Sequence, residues 1–391
     1  MVRDMSHTRR GVPITPAVLE WAIQESGYSL EEVAGSIDVE AELLVSWIND
    51  ERRPSRTQLE AIARKLKRAS AIFYLESPPK RAQRTVEFRH PRSVARTTLN
   101  PEERRYLRFA VRLQDQMAWM LNESGARRVA LPTARLQDAP EEASDKLRSW
   151  IDLDGLGRQA PNNDAAFGVR RDLVQSKGIA VCVLRVGRGS TQGFALWNEM
   201  APVIVINSTG WNGASRSFSL LHELAHLALR SDSACYQPAG RVQDYEHDGE
   251  VEVWCNRVAA ASLMPWREVS RDLASRFGLG PDERVKSLDV ATALANSFRV
   301  SVRSAVLRLI EHHRASWELW EAIPPVSDHR QGGGGRGMNR AQRRLGEFGK
   351  RSIQVYLEAE RQGVITRNDV RDALRLGDRD IQSVEARLSA D

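Results

Sequence analysis

The chain has 391 residues, of which 41% are hydrophobic and 28% charged. That balance fits a water-compatible protein of two or three domains and excludes a fibrous or disordered chain. No run of about 18 apolar residues is present, which excludes a spanning helix, and the net charge of +6 permits nucleic-acid contact without requiring it.

Residues 14–76 read as a run of short helices. Val18, Leu19, Ala22 and Ile23 share one face of the first. Ser29 and Glu32 form a capping box for the second, with Leu30, Val33, Ala34 and Ile37 inward. Asp38-Val39 makes a turn, and Glu40 to Ile48 forms a third helix with Leu43, Leu44, Trp47 and Ile48 buried. Thr57 opens a fourth, burying Leu59, Ile62, Ala63 and Leu66. A tight turn between the second and third helices is the helix-turn-helix pattern. Pro78-Pro79 then breaks the chain, and Lys80, Arg81, Arg84, Arg89, Arg92 and Arg96 make a basic linker.

Residues 101–123 and 140–150 return to helical periodicity. After a loop at 152–163 come a helix over 165–175 and strands at Ile179–Leu184, Gly193–Trp197 and Val203–Ile206. A helix follows over 216–230, a polar loop over 231–248, and a helix from Gly249 that Pro265 stops. Two further helices lie within 281–313. A glycine run at 331–337 reads as a flexible linker, and helices over 341–360 and 368–376 end the chain.

The chemistry concentrates at His222-Glu223-Leu224-Ala225-His226. On a helix, His222 and His226 stand four residues apart and project from one face, close enough to share one metal ion. Glu223 beside them is placed to act as a general base. A catalytic zinc site needs three protein ligands and an open position. The helix after the polar loop supplies an acid, Glu252, as third ligand, with Glu250 as the alternative. Asn256, one turn later, is placed to hydrogen-bond a ligand histidine. A third histidine six residues beyond His226 is excluded, because that position is Asp232. A His-His-Glu set favours zinc but also accepts manganese or iron. Tyr236, Tyr245 and His247 in the intervening loop are candidates for stabilising an oxyanion. Val203–Ile206 is expected to be an edge strand able to pair with an extended substrate.

Two resemblances follow from these residues. The Trp47 … Pro54 … Gln58-Leu59-Glu60-Ala61-Ile62-Ala63 … Leu66 string resembles the Xre/Cro-like DNA-binding family. Arg216 to His226, RSFSLLHELAH, looks like the R-x-F-T-x-x-H-E-x-x-H of the ImmA/IrrE metallopeptidases, and Glu252 to Pro265, EVWCNRVAAASLMP, is similar to that family's E-x-x-A-N-x-F-A-A-x-L-L-M-P. Cys255 stands where alanine is usual, Val258 where phenylalanine is usual, and Trp254 is bulkier than the usual residue. The resemblance covers about residues 165–270. It implies a zinc-dependent endopeptidase that cuts a transcriptional repressor, often one with its own Xre-like domain, and so controls stress-response, mobile-element or toxin–antitoxin genes.

The expected architecture is multidomain and mainly α with a small α+β part. It comprises an Xre-like helical bundle (1–78), a basic linker with helices (79–150), a zincin-like peptidase domain with a small sheet and the HExxH helix (151–328), and a glycine linker with a basic helical domain (329–391). Whether the first domain grips DNA is left open by its charge. Ser29 to Glu51 holds seven acidic residues and no lysine or arginine. Glu40 and Glu42 would repel phosphate, while Ser46, Arg52, Arg53 and Arg56 are candidate contacts to DNA or a partner. The competing function is a non-catalytic, zinc-containing DNA-binding regulator. Three scattered cysteines and a first segment without an apolar core predict a cytoplasmic protein with no membrane partner.

Overall fold

The computed structural model describes residues 11–79, 99–187, 190–230, 233–235 (backbone alone), 249–324 and 338–390. They divide into two compact units. The first takes in the described residues up to 79 together with 99–109, and the second runs from Ala110 onward. Mostly helical, the chain carries one small sheet.

The first unit holds α1 (Pro16–Ser26), α2 (Leu30–Ser36), α3 (Ala41–Ile48) and α4 (Arg56–Lys65), followed by a short 3-10 turn at Ser70–Tyr74. Their starts are chemically marked. Ser29 and Glu32 satisfy each other's backbone at the head of α2, and Ser55 and Gln58 do the same for α4, so α4 begins one residue before Thr57. Asp38, at φ 56°, turns the chain between α2 and α3. Leu19, Leu44, Trp47, Leu59, Ile62 and Phe73 are almost wholly buried and form the core.

α5 (Pro101–Glu123) begins in the first unit and ends in the second, where Gln114 donates to the Leu196 carbonyl. In the second unit four strands form one sheet in the order β1-β3-β2-β4. β1 (Ala180–Leu184) runs parallel to β3 (Val203–Asn207), and β2 (Gly193–Leu196) is antiparallel to β3. β4 (Ser233–Cys235) is antiparallel to β2. β3 is wholly buried between β1 and β2, so it is no edge strand and its backbone is already paired on both sides. Its unbroken Val-Ile-Val-Ile run is the signature of a central strand rather than an edge.

Helices cover the sheet. α6 (Pro140–Trp150) packs on α9 (Glu250–Leu263), and α7 (Asn163–Ser176) packs on α8 (Gly213–Ala228). α8 lies across β2 and β3 and against α9. It starts three residues before Arg216 because Asn212 accepts from the Ser215 amide and caps it. Leu220, Leu221, Leu224 and Leu227 are buried along α8, each contributing roughly 1.5–3 kcal/mol of hydrophobic stabilisation. α10 (Trp266–Phe277) follows directly, then α11 (Leu288–Phe298), α12 (Val302–Glu311) and α13 (Trp317–Glu321). Pro265 both stops α9 and serves as the N-cap of α10. A helix start does not need the amide hydrogen that proline lacks, which is why a stop signal also hides a start.

The last helices are α14 (Arg340–Arg361), α15 (Arg367–Leu374) and α16 (Asp378–Ala390). They do not stand apart. α14 packs on β1 and α7, and the Cys182 thiol of β1 donates to the Phe348 carbonyl at 3.6 Å. α6 and α14, which composition assigns to a linker stretch and to a terminal domain, thus belong to the same compact unit as the sheet.

Candidate metal centre

α8 and α9 pack face to face, and their contact brings together three donors. The His222 and His226 Nε2 atoms lie 3.1 Å apart. Glu252, in the first turn of α9, sets one carboxylate oxygen 3.3 Å from His222 Nε2 and the other 3.2 Å from His226 Nε2. Among the described residues these three form the one cluster suited to a metal ion. Glu250, the alternative acid, is exposed at the head of α9 and lies outside the cluster.

The electrostatics suit a cation. Burial by itself would push His222 toward its neutral form. The hydrogen bond and charge of Glu252, the charge of Glu223 and a hydrogen bond with Asn256 outweigh burial and raise its pKa. Burial likewise pushes the Glu252 carboxyl up, but hydrogen bonds to His222 and His226 and their charge hold it well below the usual carboxylate range. The pocket therefore favours positive charge beside the carboxylate, a place that a metal ion takes from a proton.

The donor set fits zinc. Two imidazole nitrogens and a carboxylate oxygen separated by 3.1–3.3 Å approximate the ~3.4 Å edge of a tetrahedron whose bonds are about 2.1 Å long. Three protein ligands leave the fourth position for water or substrate.

Glu223 is 1% exposed and stands one residue from His222. Its carboxylate lies against β2 at Gly193, where an added Cβ would sit 3.2 Å from Glu223 Oε1. Gly193 belongs to no metal-binding motif. The available signal is an isolated glycine opening a strand, which marks a close approach. Trp254 does not hang over the centre. It is buried, and its indole N–H donates to the Asp138 carbonyl at 2.8 Å. Cys255 and Val258 are wholly buried in the same core. Burial, with the charges of Glu252 and Glu223, pushes the Cys255 thiol up, so it stays protonated and packs rather than ligates.

Other expectations fare differently. Tyr236, Tyr245 and His247 lie outside the described residues. Ser46 is buried, and its hydroxyl donates to the Leu43 carbonyl within α3, so it is not available as a surface contact. A buried serine on a short helix satisfies itself locally. Arg52 and Arg56 are exposed, Arg53 is half-buried, and Arg56 pairs with Glu60 at 3.0 Å.

No helix among the described residues is long and apolar enough to cross a membrane. Residues 174–309 match the Peptidase_M78 family model, described as the IrrE N-terminal-like domain. The match spans α8, α9 and all three donors, and it supports the ImmA/IrrE family and a metallopeptidase-like function for this stretch. No curated protein matches the chain.

Proposed function

We propose that this protein is a zinc-dependent, site-specific endopeptidase acting on a protein substrate. The observation that carries the reading is the convergence of His222, His226 and Glu252 with a buried Glu223 one residue away. A purely structural zinc site gains nothing from an extra carboxylate beside it, whereas hydrolysis needs a base there.

When bound, zinc would polarise the scissile carbonyl and lower the pKa of the attacking water. His222, His226 and Glu252 would hold it, and Asn256, beside His222, would help orient that ring. Glu223 takes the water's proton on its carboxylate and delivers it to the leaving amine nitrogen. Because β3 is central, any substrate strand must pair elsewhere. β4 has no outer strand partner among the described residues and is the better docking edge.

The substrate is read as a transcriptional repressor or partner regulator with an Xre-like domain, and the described helices up to Lys65 as an Xre-like module. Glu40 and Glu42, both exposed at the head of α3, would repel phosphate and favour docking on a protein over gripping DNA. The test is co-expression of the protein, and of its Glu223→Gln form, with the Xre-like regulators encoded beside it. A fragment made only by the unsubstituted protein is expected. Cleavage retained by Glu223→Gln would remove Glu223 from the mechanism. Absence of any fragment from zinc-loaded protein would favour a non-catalytic, zinc-containing DNA-binding regulator.

A further inference from the structure

Gly193 is the first residue of β2, buried in the sheet and directly beneath α8. Its backbone does not demand glycine. It lies outside the positive-φ glycines and pairs in register with Ile206 of β3. A glycine in a buried strand also costs stability, because it packs nothing and loses more chain entropy than any other residue. The reason for it is space. A Cβ at this position would meet Glu223 Oε1 at 3.2 Å, Glu223 Cγ at 3.3 Å and the Val205 carbonyl at 3.0 Å. The side chain of Glu223 thus fills the volume that residue 193 leaves vacant.

The strand under Glu223 is fixed in place. Thr191 Oγ1 donates to the Gly193 carbonyl at 2.7 Å, and Asn207 Nδ2 donates to the Thr191 carbonyl at 3.0 Å. The Asn207 amide bonds the Gln192 carbonyl at 2.8 Å. On the α8 side, Ser219, one turn before Glu223, donates to Gln192 Oε1 at 3.2 Å. The strand is thus pinned to β3 and joined to α8 through the Ser219–Gln192 bond.

We propose that Gly193 is a positioning residue for Glu223: its missing side chain lets the carboxylate lie flat on β2 and thereby fixes where the base meets water. This rests on the peptidase reading above. Bulk added at 193 meets Glu223 and the Val205 carbonyl before any of the three donors, so the base moves and the metal stays.

The test is a double-mutant cycle on the full chain, comparing wild type, Gly193→Ala, Glu223→Ala and the pair. It is read by thermal melting, zinc content, and kcat and KM on the regulator cleaved in co-expression. Gly193→Ala is expected to keep full zinc and lower Tm by about 5 °C. In the Glu223→Ala background the same change should lower Tm clearly less, because the two contacts with Glu223 are gone and only the one with the Val205 carbonyl remains. With Glu223 intact, the kcat of Gly193→Ala should fall about 10- to 100-fold with KM nearly unchanged. If Gly193→Ala fails to fold, recovery of folding in the pair carries the same meaning. Additive Tm shifts, or an unfolded pair, would put the clash at Val205 and overturn the inference. Cleavage by wild type and equally by Gly193→Ala overturns the inference alone. A zinc-loaded wild type that cleaves no regulator overturns the peptidase reading and the inference with it.

Discussion

Glu252 and Trp254 sit two residues apart on α9 and leave it in different directions. Glu252 turns toward His222 and His226 at 3.2–3.3 Å, and Trp254 turns toward the Asp138 carbonyl at 2.8 Å. One helix therefore supplies both the third donor and an anchor that holds α9 to the loop before α6.

That division of labour separates metal affinity from folding. Asn256→Ala tests the proposed role of that side chain in orienting His222: zinc affinity should drop about 10- to 100-fold with the melt nearly unchanged. Glu252→Ala should cost more affinity than that, because a donor itself is lost. Competition with a chromophoric chelator measures both. Unchanged affinity in Glu252→Ala would remove it from the ligand set.

The anchor should behave in the opposite way. Trp254→Phe keeps an aromatic ring but deletes the N–H donor, leaving the Asp138 carbonyl to find water. A loss of about 1–3 kcal/mol is expected in denaturant unfolding, with zinc content unchanged. Weakened zinc binding at full stability would reverse the assignment.

α14 bends at Gly349, which has φ 81° and ψ 163°. A Cβ there would meet Gln175 Oε1 and come within 2.6 Å of the Val181 carbonyl. Gly349→Ala should cost at least about 1–3 kcal/mol from the backbone alone, and the clash adds to it. Because α14 covers β1, the whole second unit should melt earlier, in one transition. A melt in which only α14 to α16 detach would show those helices to be an independent body.

Glu141 of α6 faces Arg308 and His312 of the α12 region, with His312 Nε2 at 3.5 Å. Burial pushes its carboxyl up, but the His312 hydrogen bond and the Arg308 charge outweigh that and lower it from 4.5. A lowered carboxylate adds stability above its unfolded pKa and loses it as pH falls through the folded value. Glu141→Gln should thus be less stable than wild type at pH 7, the gap narrowing below about pH 4.5 and closing once the native carboxyl protonates. Urea midpoints across pH 3 to 7 give the comparison; a gap independent of pH would exclude the charge as its source.

For the first unit, charge decides between partners. Little duplex binding is expected as salt rises from about 50 to 200 mM. A salt-sensitive mobility shift abolished by Arg52→Glu with Arg53→Glu would establish a DNA contact.

The sequence by itself determined the donors' local geometry and most helices. His222 and His226 share a face because four residues make about one turn, and Ser29, Ser55 and the apolar periods announce α2 and α4. Such signals are local, written within a few residues. Tertiary structure decided what depends on distant chain segments. It carried Glu252, the acid chosen from the sequence, onto the histidines, turned Trp254 inward, and laid α14 on β1. It also gave Gly193 its meaning, since a missing side chain carries no sign of what fills its place. Packing between α8, α9 and the sheet supplied these answers, because burial and close contact are properties of the folded chain and leave no periodic trace in its order.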